Sequence, residues 1–365
     1  MYKQDSNSKI KQPYRTRYLE DVLSQPQVLR ALIENHSAGR GPLDKWGNEW
    51  EQAGKPLIVF TGMGASLFAA ELVQAYLAEN GVFSLVLPTS DLVDRLSGIP
   101  EDALLFAISQ SGESIEMTEL VDILGQRRLY AVTNVPGSFL ARSAYDVAFL
   151  GLPPDLSVAI KTYTGTLCLL LLLAARLVEG KDNNMSDRLL QAAVIIENQL
   201  SAWESEVINL AARLGRPQFT SFLGRGYDQY TASGAALLFK EGAKIPAEAS
   251  CGGQFRHGAV EVVDHEHVAI YFVPPHTDRR YKRVQASVKE LLSLPGRVVT
   301  VGCDLPIQLN EKYLSHLDVR EVDDPIIAAV TEIVPVQLLT AYLARLAGLE
   351  AGDFRNTTPV INHDA

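Results

Sequence analysis

Short apolar runs that end in a tight turn and lead into a helical stretch recur along this chain, and they constrain its fold more than any other feature. Pro56–Phe60 runs into Thr61-Gly62-Met63-Gly64-Ala65-Ser66, and further apolar runs follow at Phe83–Leu87, Ala103–Ile108 and Leu129–Val132, with helical periodicity between them. Short, continuously apolar strands alternating with helices predict a parallel, doubly wound α/β sheet with helices on both faces, a three-layer αβα arrangement. A polar arm and a helix near Thr16–Glu34 precede the pattern, and a long helical stretch from about Ser186 to Arg213 interrupts it. It then restarts at Phe219–Leu223, which leads into Gly224-Arg225-Gly226.

The restart reads as an internal repeat because landmarks recur in order. Gly62 is matched by Gly224 after 162 residues, the run ending at Ser109 by the one ending at Val273 after 164, and Ala131-Val132-Thr133 by Thr300-Val301-Gly302 after 169. Each half is expected to close with an amphipathic helix, Thr166–Leu177 and Val334–Ala347. A duplicated α/β domain is the economical account, and 365 residues suit two domains of ~150. The expected organisation is an arm and helix over 1–45, a first domain over 46–185, a linker helix over 186–214, a second domain over 215–350 and a tail over 351–365.

Hydrophobic residues make up 47% of the chain and charged residues 21%, enough apolar material to fill two cores. The net charge is −10 with no basic run, which argues against nucleic acid or an anionic membrane as partner, so any anionic substrate must be held by local geometry. Cys168, Cys251 and Cys303 share no C-x-x-C spacing; neither a disulfide framework nor a zinc site is expected, and a reducing cytoplasm fits. Met1–Lys11 lacks the apolar core of a leader, and the greasiest run, Leu167–Leu177, falls short of the ~18 residues that span a bilayer.

In a parallel α/β sheet, ligands sit beyond the carboxyl ends of the strands. The loop after Ile108 reads Ser109-Gln110-Ser111-Gly112-Glu113-Ser114 and enters a helix. Three hydroxyls, an amide, a permissive glycine and helix N-terminal N–H groups form a neutral cradle suited to phosphate, and Ser66 on the parallel loop after Phe60 adds a donor. Serine with a downstream glutamate is also ordinary capping chemistry. The matching loop of the second half, Val273-Pro274-Pro275-His276-Thr277-Asp278, has lost nearly all those donors, so the repeat is functionally asymmetric. Gly62-x-Gly64 suggests a dinucleotide fingerprint, but Leu67 stands where the third glycine belongs. No cofactor is expected. His265-x-His267 has no evident third partner, and a polar strand entry is expected there rather than a metal site.

The second half carries a different constellation. Phe239-Lys240-Glu241 ends a helical stretch, and Ser250-Cys251-Gly252-Gly253-Gln254-Phe255-Arg256-His257-Gly258 follows, with two glycines that permit a bend before the histidine. A carboxylate and an imidazole are the usual pair for moving protons on and off carbon and oxygen. On spacing alone, a solvated helix glutamate and a partly buried histidine remain the commoner readings.

Four segments taken together change this: Ser109–Ser114, Asp155-Leu156-Ser157-Val158-Ala159-Ile160-Lys161-Thr162-Tyr163-Thr164, Phe222-Leu223-Gly224-Arg225-Gly226 and Phe255-Arg256-His257-Gly258. In this order, and over about Trp46 to Val360, the chain resembles the family with two tandem sugar-isomerase (SIS) domains. That family includes the isomerase half of glucosamine-6-phosphate synthase, amino-sugar phosphate deaminases and fructosamine-phosphate deglycases. The resemblance implies that Ser66, Ser109, Gln110, Ser111 and Ser114 hold a sugar phosphate and that Ala65 and Val158 line the sugar. It implies that Glu241 shuttles a proton between C1 and C2 and that His257, 16 residues on, assists ring opening. It also implies a homodimer with shared active sites, the histidine coming from the second subunit.

Departures from the pattern narrow the activity. Position 2 is Tyr where the glutaminase domain has its nucleophilic cysteine, so glutamine is not expected as nitrogen source and synthase activity is not expected. Leu238 and Pro359 stand where the synthase has lysines, and the stretch at Ala159-Ile160-Lys161 is one residue shorter than usual. A substrate that already carries nitrogen forms its own imine, which favours an amino-sugar phosphate deaminase/isomerase. The alternatives are a deglycase of phosphorylated Amadori compounds, a plain phosphosugar isomerase, or a sugar-phosphate sensor. Retention of both Glu241 and His257, with no accompanying DNA-binding segment, counts against the sensor.

Overall fold

A computed structural model of the chain describes residues 14–37, 41–180, 183–307, 312–319 and 323–356. Tyr2, and Pro359 in the tail, lie outside the described residues. The fold divides into two compact units. One holds Gln27–Asp155 and Lys161–Leu190; the other holds Gln191–Asp353, Leu156–Ile160 and the residues up to Pro26.

The first unit is built on β1 (Ile58–Gly62), β2 (Ser84–Pro88), β3 (Leu104–Ile108), β4 (Leu129–Thr133) and β5 (Asp146–Phe149), all parallel, in the order β2-β1-β3-β4-β5. Successive side chains alternate across the sheet, so each strand feeds two cores. On one face Phe60, Phe106 and Tyr130 come from adjacent strands and stack at 5.3 and 5.1 Å, with Trp46 packed on Phe106 at 5.4 Å. On the other, Val59, Leu105, Ala107 and Ala131 pack with Met117 and Leu120. β5 has no counterpart among the apolar runs read from the sequence, because it is only four residues long and opens on an aspartate. Asp146 accepts hydrogen bonds from Lys45 Nζ and Trp46 Nε1, both at 2.9 Å, which tie this edge strand to the helix Pro42–Gln52.

The second unit contains β6 (Phe219–Gly224), β7 (Ala247–Cys251), β8 (His267–Val273), β9 (Arg297–Gly302) and β10 (Tyr313–Asp318), ordered β10-β9-β8-β6-β7. Read from its other edge this is the same scheme as the first sheet, with β6 in the place of β1 and β8 in the place of β3. Two parallel five-stranded sheets flanked by helices and related by duplication are thus the architecture. The crossover between β7 and β8 is one place where the described halves differ. The helix Asp228–Leu238 joins β6 to β7, whereas β7 reaches β8 through two short 3₁₀ turns, Gln254–Arg256 and Ala259–Val262.

The closing helices, Lys161–Glu179 and Ile333–Leu346, are not amphipathic as the sequence suggests. Residues 161–177 and 333–344 are buried on every side. Polar members such as Thr164 and Thr340 satisfy their hydroxyls on backbone carbonyls three or four residues back, which lets them pass inside. The helix Lys161–Glu179 and the segment Pro325–Leu346 are also long and apolar enough to cross a membrane, but nearly all of their residues are enclosed by the fold. His267, expected as a polar strand entry, is likewise buried: its Nε2 lies 2.9 Å from Ser221 Oγ, and burial lowers its pKa to about 4.

Candidate functional site

In the first sheet the crossovers run to opposite sides after β1 and β3, which are neighbours, so a crevice opens at their carboxyl ends. Both loops singled out from the sequence start there. Gly62 and Ile108 are register partners, and a Cβ on Gly62 would lie 2.9 Å from the Ile108 carbonyl oxygen and 3.2 Å from Ser66 Cβ. The absent side chain therefore lets the first turn of the helix Ala65–Glu79, with Ala65 and Ser66, close against the start of the Ser109 loop.

The loop itself is held by its own hydroxyls and by the next strand. Ser109 Oγ accepts from Gly112 N at 3.1 Å, and Ser111 Oγ accepts from Glu113 N at 3.3 Å. Gln110 O accepts from Asn134 N at 3.0 Å and from Thr133 Oγ1 at 3.2 Å. Gly112 adopts φ +66°, and a Cβ there would sit 2.3 Å from Ser138 Oγ, so this glycine is required twice, by conformation and by space. Ser114 occupies the N-cap position of the helix Ile115–Ile123, yet its side chain makes no capping hydrogen bond. The Glu113 carboxylate accepts from Phe139 N at 2.9 Å instead of turning its charge into the cradle. What remains at the crevice is a set of neutral donors, Ser66, Ser109, Gln110, Ser111 and Ser114, beside the N-termini of two helices whose dipoles favour an anion. Thr133, Asn134 and Ser138 brace this loop, a role the sequence did not suggest; they lie at and just past the end of a third strand, with nothing in their spacing to link them to Ser109.

Asp155 is a second organiser. It accepts from Lys161 N at 3.0 Å and Thr162 N at 3.3 Å, and its carboxylate lies 3.9 Å from Lys161 Nζ, so it caps the helix Lys161–Glu179. Val158, in the short segment before that helix, is buried at 3% exposure, whereas Ala65 is partly exposed.

In the second unit the helix Asp228–Leu238 does not stop at Leu238 but widens into a π-turn, Phe239–Ala243, that contains Glu241. Such turns insert one extra residue and recur at functional sites. Gly242 makes the turn possible, since a Cβ there would lie 2.4 Å from Thr340 Cγ2, and its carbonyl accepts from Gly352 N at 3.2 Å. Glu241 is half-buried, and desolvation raises its pKa above the ordinary value against the opposing pull of Lys244 and Lys240. Leu238 is buried. His257 is exposed and ends the 3₁₀ turn Gln254–Arg256, anchored by the buried Phe255.

These two residues are not brought together within the chain. Phe239, two positions before Glu241, meets Phe222 edge-on at 4.7 Å. Phe255, two positions before His257, packs with Leu223 and Tyr271. Residues 222 and 223 are successive on β6 and point to opposite faces. The second sheet therefore lies between the segments that carry Glu241 and His257.

Comparison with known proteins fits this architecture. The sequence profile of the SIS domain matches residues 53–176 and again 220–347, each covering one of the two sheets. The chain belongs to the SIS domain family. Among curated SIS relatives, the glutamine–fructose-6-phosphate aminotransferase (isomerizing) of Pyrococcus horikoshii is 26% identical over 345 residues, 92% of this chain and 56% of that protein. The chain thus spans little more than half the length of such relatives. Among solved structures, the C-terminal domain of glucosamine-fructose-6-phosphate aminotransferase from Francisella tularensis superposes with a TM-score of 0.82 at 22% identity, covering 94% of this chain and 99% of that one. Glucosamine-6-phosphate deaminase from Thermotoga maritima superposes at 0.72 with 18% identity, covering 95% and 99%. These likenesses carry the tandem SIS fold.

Proposed function

We propose that this protein is an enzyme that binds an amino-sugar phosphate and converts it to a ketose phosphate and ammonia. The observation that carries the reading is the hydroxyl-rich loop at the β1/β3 crevice, where Ser109, Gln110, Ser111 and Ser114 follow β3, Ser66 opens the helix after β1, and the Glu113 carboxylate is engaged by Phe139 N. A phosphate held there fixes one end of an open-chain hexose. The proton chemistry is assigned to Glu241: a half-buried carboxylate whose pKa is raised is a stronger base than a solvated one. It takes the proton from C2 of the aldose and returns it to C1, which leaves an imine at C2. Water adds to that carbon, ammonia departs, and the ketose remains. Leu238 stands where the synthase pattern has a lysine, and the substrate's own nitrogen supplies the imine.

His257 is assigned to the ring oxygen, from the second subunit of a homodimer. The support is the sheet that separates its segment from that of Glu241 in one chain, together with the exposure of His257. The test of the function is incubation with a panel of hexosamine 6-phosphates, phosphorylated Amadori compounds and unaminated hexose phosphates, with ammonia, amino acid and ketose all assayed. Ammonia and ketose phosphate released in equal amounts from a hexosamine phosphate is the expected result. Amino acid release from an Amadori compound would make the enzyme a deglycase, aldose–ketose interconversion without nitrogen loss a plain isomerase, and binding without turnover a sensor.

A further inference from the structure

The π-turn that carries Glu241 ends on a residue in a conformation that backbone sterics disfavour. Lys244 follows Phe239–Ala243 with φ +55° and ψ +39°, the left-handed region that helix ends ordinarily give to glycine or asparagine. Among the described residues only Lys55 shares a positive φ without being glycine, and its ammonium lies over the Trp50 ring, 5.2 Å from the centroid. The ammonium of Lys244 turns back instead and donates to the carbonyl oxygen of Glu241.

The rest of the turn explains why that bond comes from a side chain. A helix end leaves its last carbonyls without backbone donors from the helix itself. Here the Phe239 carbonyl accepts from Lys244 N and from Ile245 N, the latter at 3.0 Å, and the Gly242 carbonyl accepts from Gly352 N at 3.2 Å. The Glu241 carbonyl receives Lys244 Nζ, and the Lys244 carbonyl in turn accepts from Arg216 Nη2 at 2.6 Å. Lys244 is thus bound at both ends, its backbone by Arg216 and its ammonium by the residue that bears the carboxylate. Glycine would take the same φ freely, so what the lysine adds at this position is its partly buried side chain.

We propose that Lys244 is a positioning residue for Glu241: by tying its ammonium to the Glu241 carbonyl, it locks the π-turn and fixes the direction in which the carboxylate leaves it. Its charge acts in the same sense. An ammonium nearby favours the ionised carboxylate that a base needs, and Lys244 opposes the effect of burial on Glu241 more strongly than Lys240 does. The inference rests on the assignment of Glu241 as the base.

The experiment compares two variants of the full chain. Lys244→Met keeps the aliphatic stem and the backbone strain but loses the ammonium, whereas Lys244→Gly loses the ammonium and relieves the strain. A defect common to both therefore does not come from the backbone, and Lys244→Gly keeps the test valid if Lys244→Met fails to fold. Two quantities are measured: turnover of a hexosamine 6-phosphate, and titration of the Glu241 carboxyl by carbon-13 NMR of chain labelled at its glutamates, the signal being assigned with Glu241→Gln. In both variants kcat should fall by roughly tenfold to 100-fold, the cost of a misplaced group, while KM changes by less than about twofold. The Glu241 carboxyl should titrate at higher pH than in the wild type, because a cation that favoured its ionised form is gone. Wild-type turnover in Lys244→Gly would make Lys244 a helix cap and nothing more, and overturn the proposal. Lost turnover with the Glu241 titration unmoved would overturn it too, since the substitution would then act elsewhere in the fold. A wild type that turns over no hexosamine phosphate would sink the functional reading instead, and the titration, which needs no substrate, would still decide the role of Lys244.

Discussion

The two sheets share one strand order and differ in what stands at their crevices. In the first, β1 and β3 end in serines and a glutamine; in the second, the loops after β6 and β8 carry Arg225, Arg279 and Arg280. The interior accounts for what is common. Strand order follows from apolar residues on both faces of each strand and from crossovers of one hand, and Phe60 with Phe106 repeats in kind as Phe222 with Phe272. Loops contribute no such packing and are free to diverge. A duplicated fold therefore keeps its frame while its two mouths acquire different chemistry.

The comparison is broken most severely at Glu241, whose π-turn has no counterpart among the described residues of the first half. Glu241→Gln should lower turnover by about 10²–10⁴-fold, the usual range for a general base, while phosphosugar binding, proposed for the other half, should persist. In deuterated water the wild type should place deuterium at carbon and the variant should not; undiminished exchange would assign the base to another residue. Because burial raises the Glu241 pKa, the acid limb of the wild-type profile should lie above 4.5, the ordinary glutamate value, with activity lost as pH falls through it.

His257→Ala should be impaired mainly on closed-ring substrates. Mixed with Glu241→Gln under conditions where subunits exchange, it should recover part of the activity. Heterodimers hold one site with both residues intact if the pair is shared across subunits. No recovery after demonstrated exchange would place both residues in one chain, against the separation imposed by the second sheet.

At the first crevice the effect is on affinity. Hydrogen bonds to a charged group contribute roughly 1.5–3 kcal/mol, so Ser111→Ala should weaken a phosphorylated sugar by roughly tenfold or more and leave its unphosphorylated analogue nearly unaffected. Equal losses for both would remove phosphate from that loop. Gly112→Ala meets Ser138 and an unfavourable φ together, and should disturb the cradle more than the loss of any one hydroxyl.

Much of this was legible in the sequence, and the exceptions have physical causes. The buried strands announced themselves by continuous apolar runs, and the hydroxyl loop is contiguous, so both could be read directly. The arginines of the second crevice could not, because Arg225 and Arg279 are 54 positions apart and only the adjacency of β6 and β8 unites them. The separation of Glu241 from His257 within one chain was implied only by the family resemblance, because nothing in their spacing reveals that alternation along β6 puts their anchors on opposite faces. The closing helices misled in the other direction, since threonines that bond their own backbone look polar in sequence and behave as apolar in the core.

The smallest expected effect is on stability, and it separates the two units by pH. Asp228 is fully buried near the crevice of the second sheet; burial and the charge of Asp278 push its pKa up to about 8, from 3.8. Glu332 is raised as well, by burial and by Asp228. Carboxyls that stay protonated when folded but ionise when unfolded favour the folded state less as pH rises. Their contribution is intact below about 4, declines above that, and is lost as pH passes about 8. No described carboxyl of the first unit is raised so far, so melting of the second unit should fall across this window while melting of the first changes less. Asp228→Asn removes the ionisation and keeps the shape. It should flatten the decline, raising the second unit's melting temperature at pH 8 by a few degrees, about 2–4 °C per kcal/mol for a unit of this size, with no gain at pH 4. An equal gain at both pH values would show that the substitution acts through packing, and that the Asp228–Glu332 pair does not set the pH response of this half.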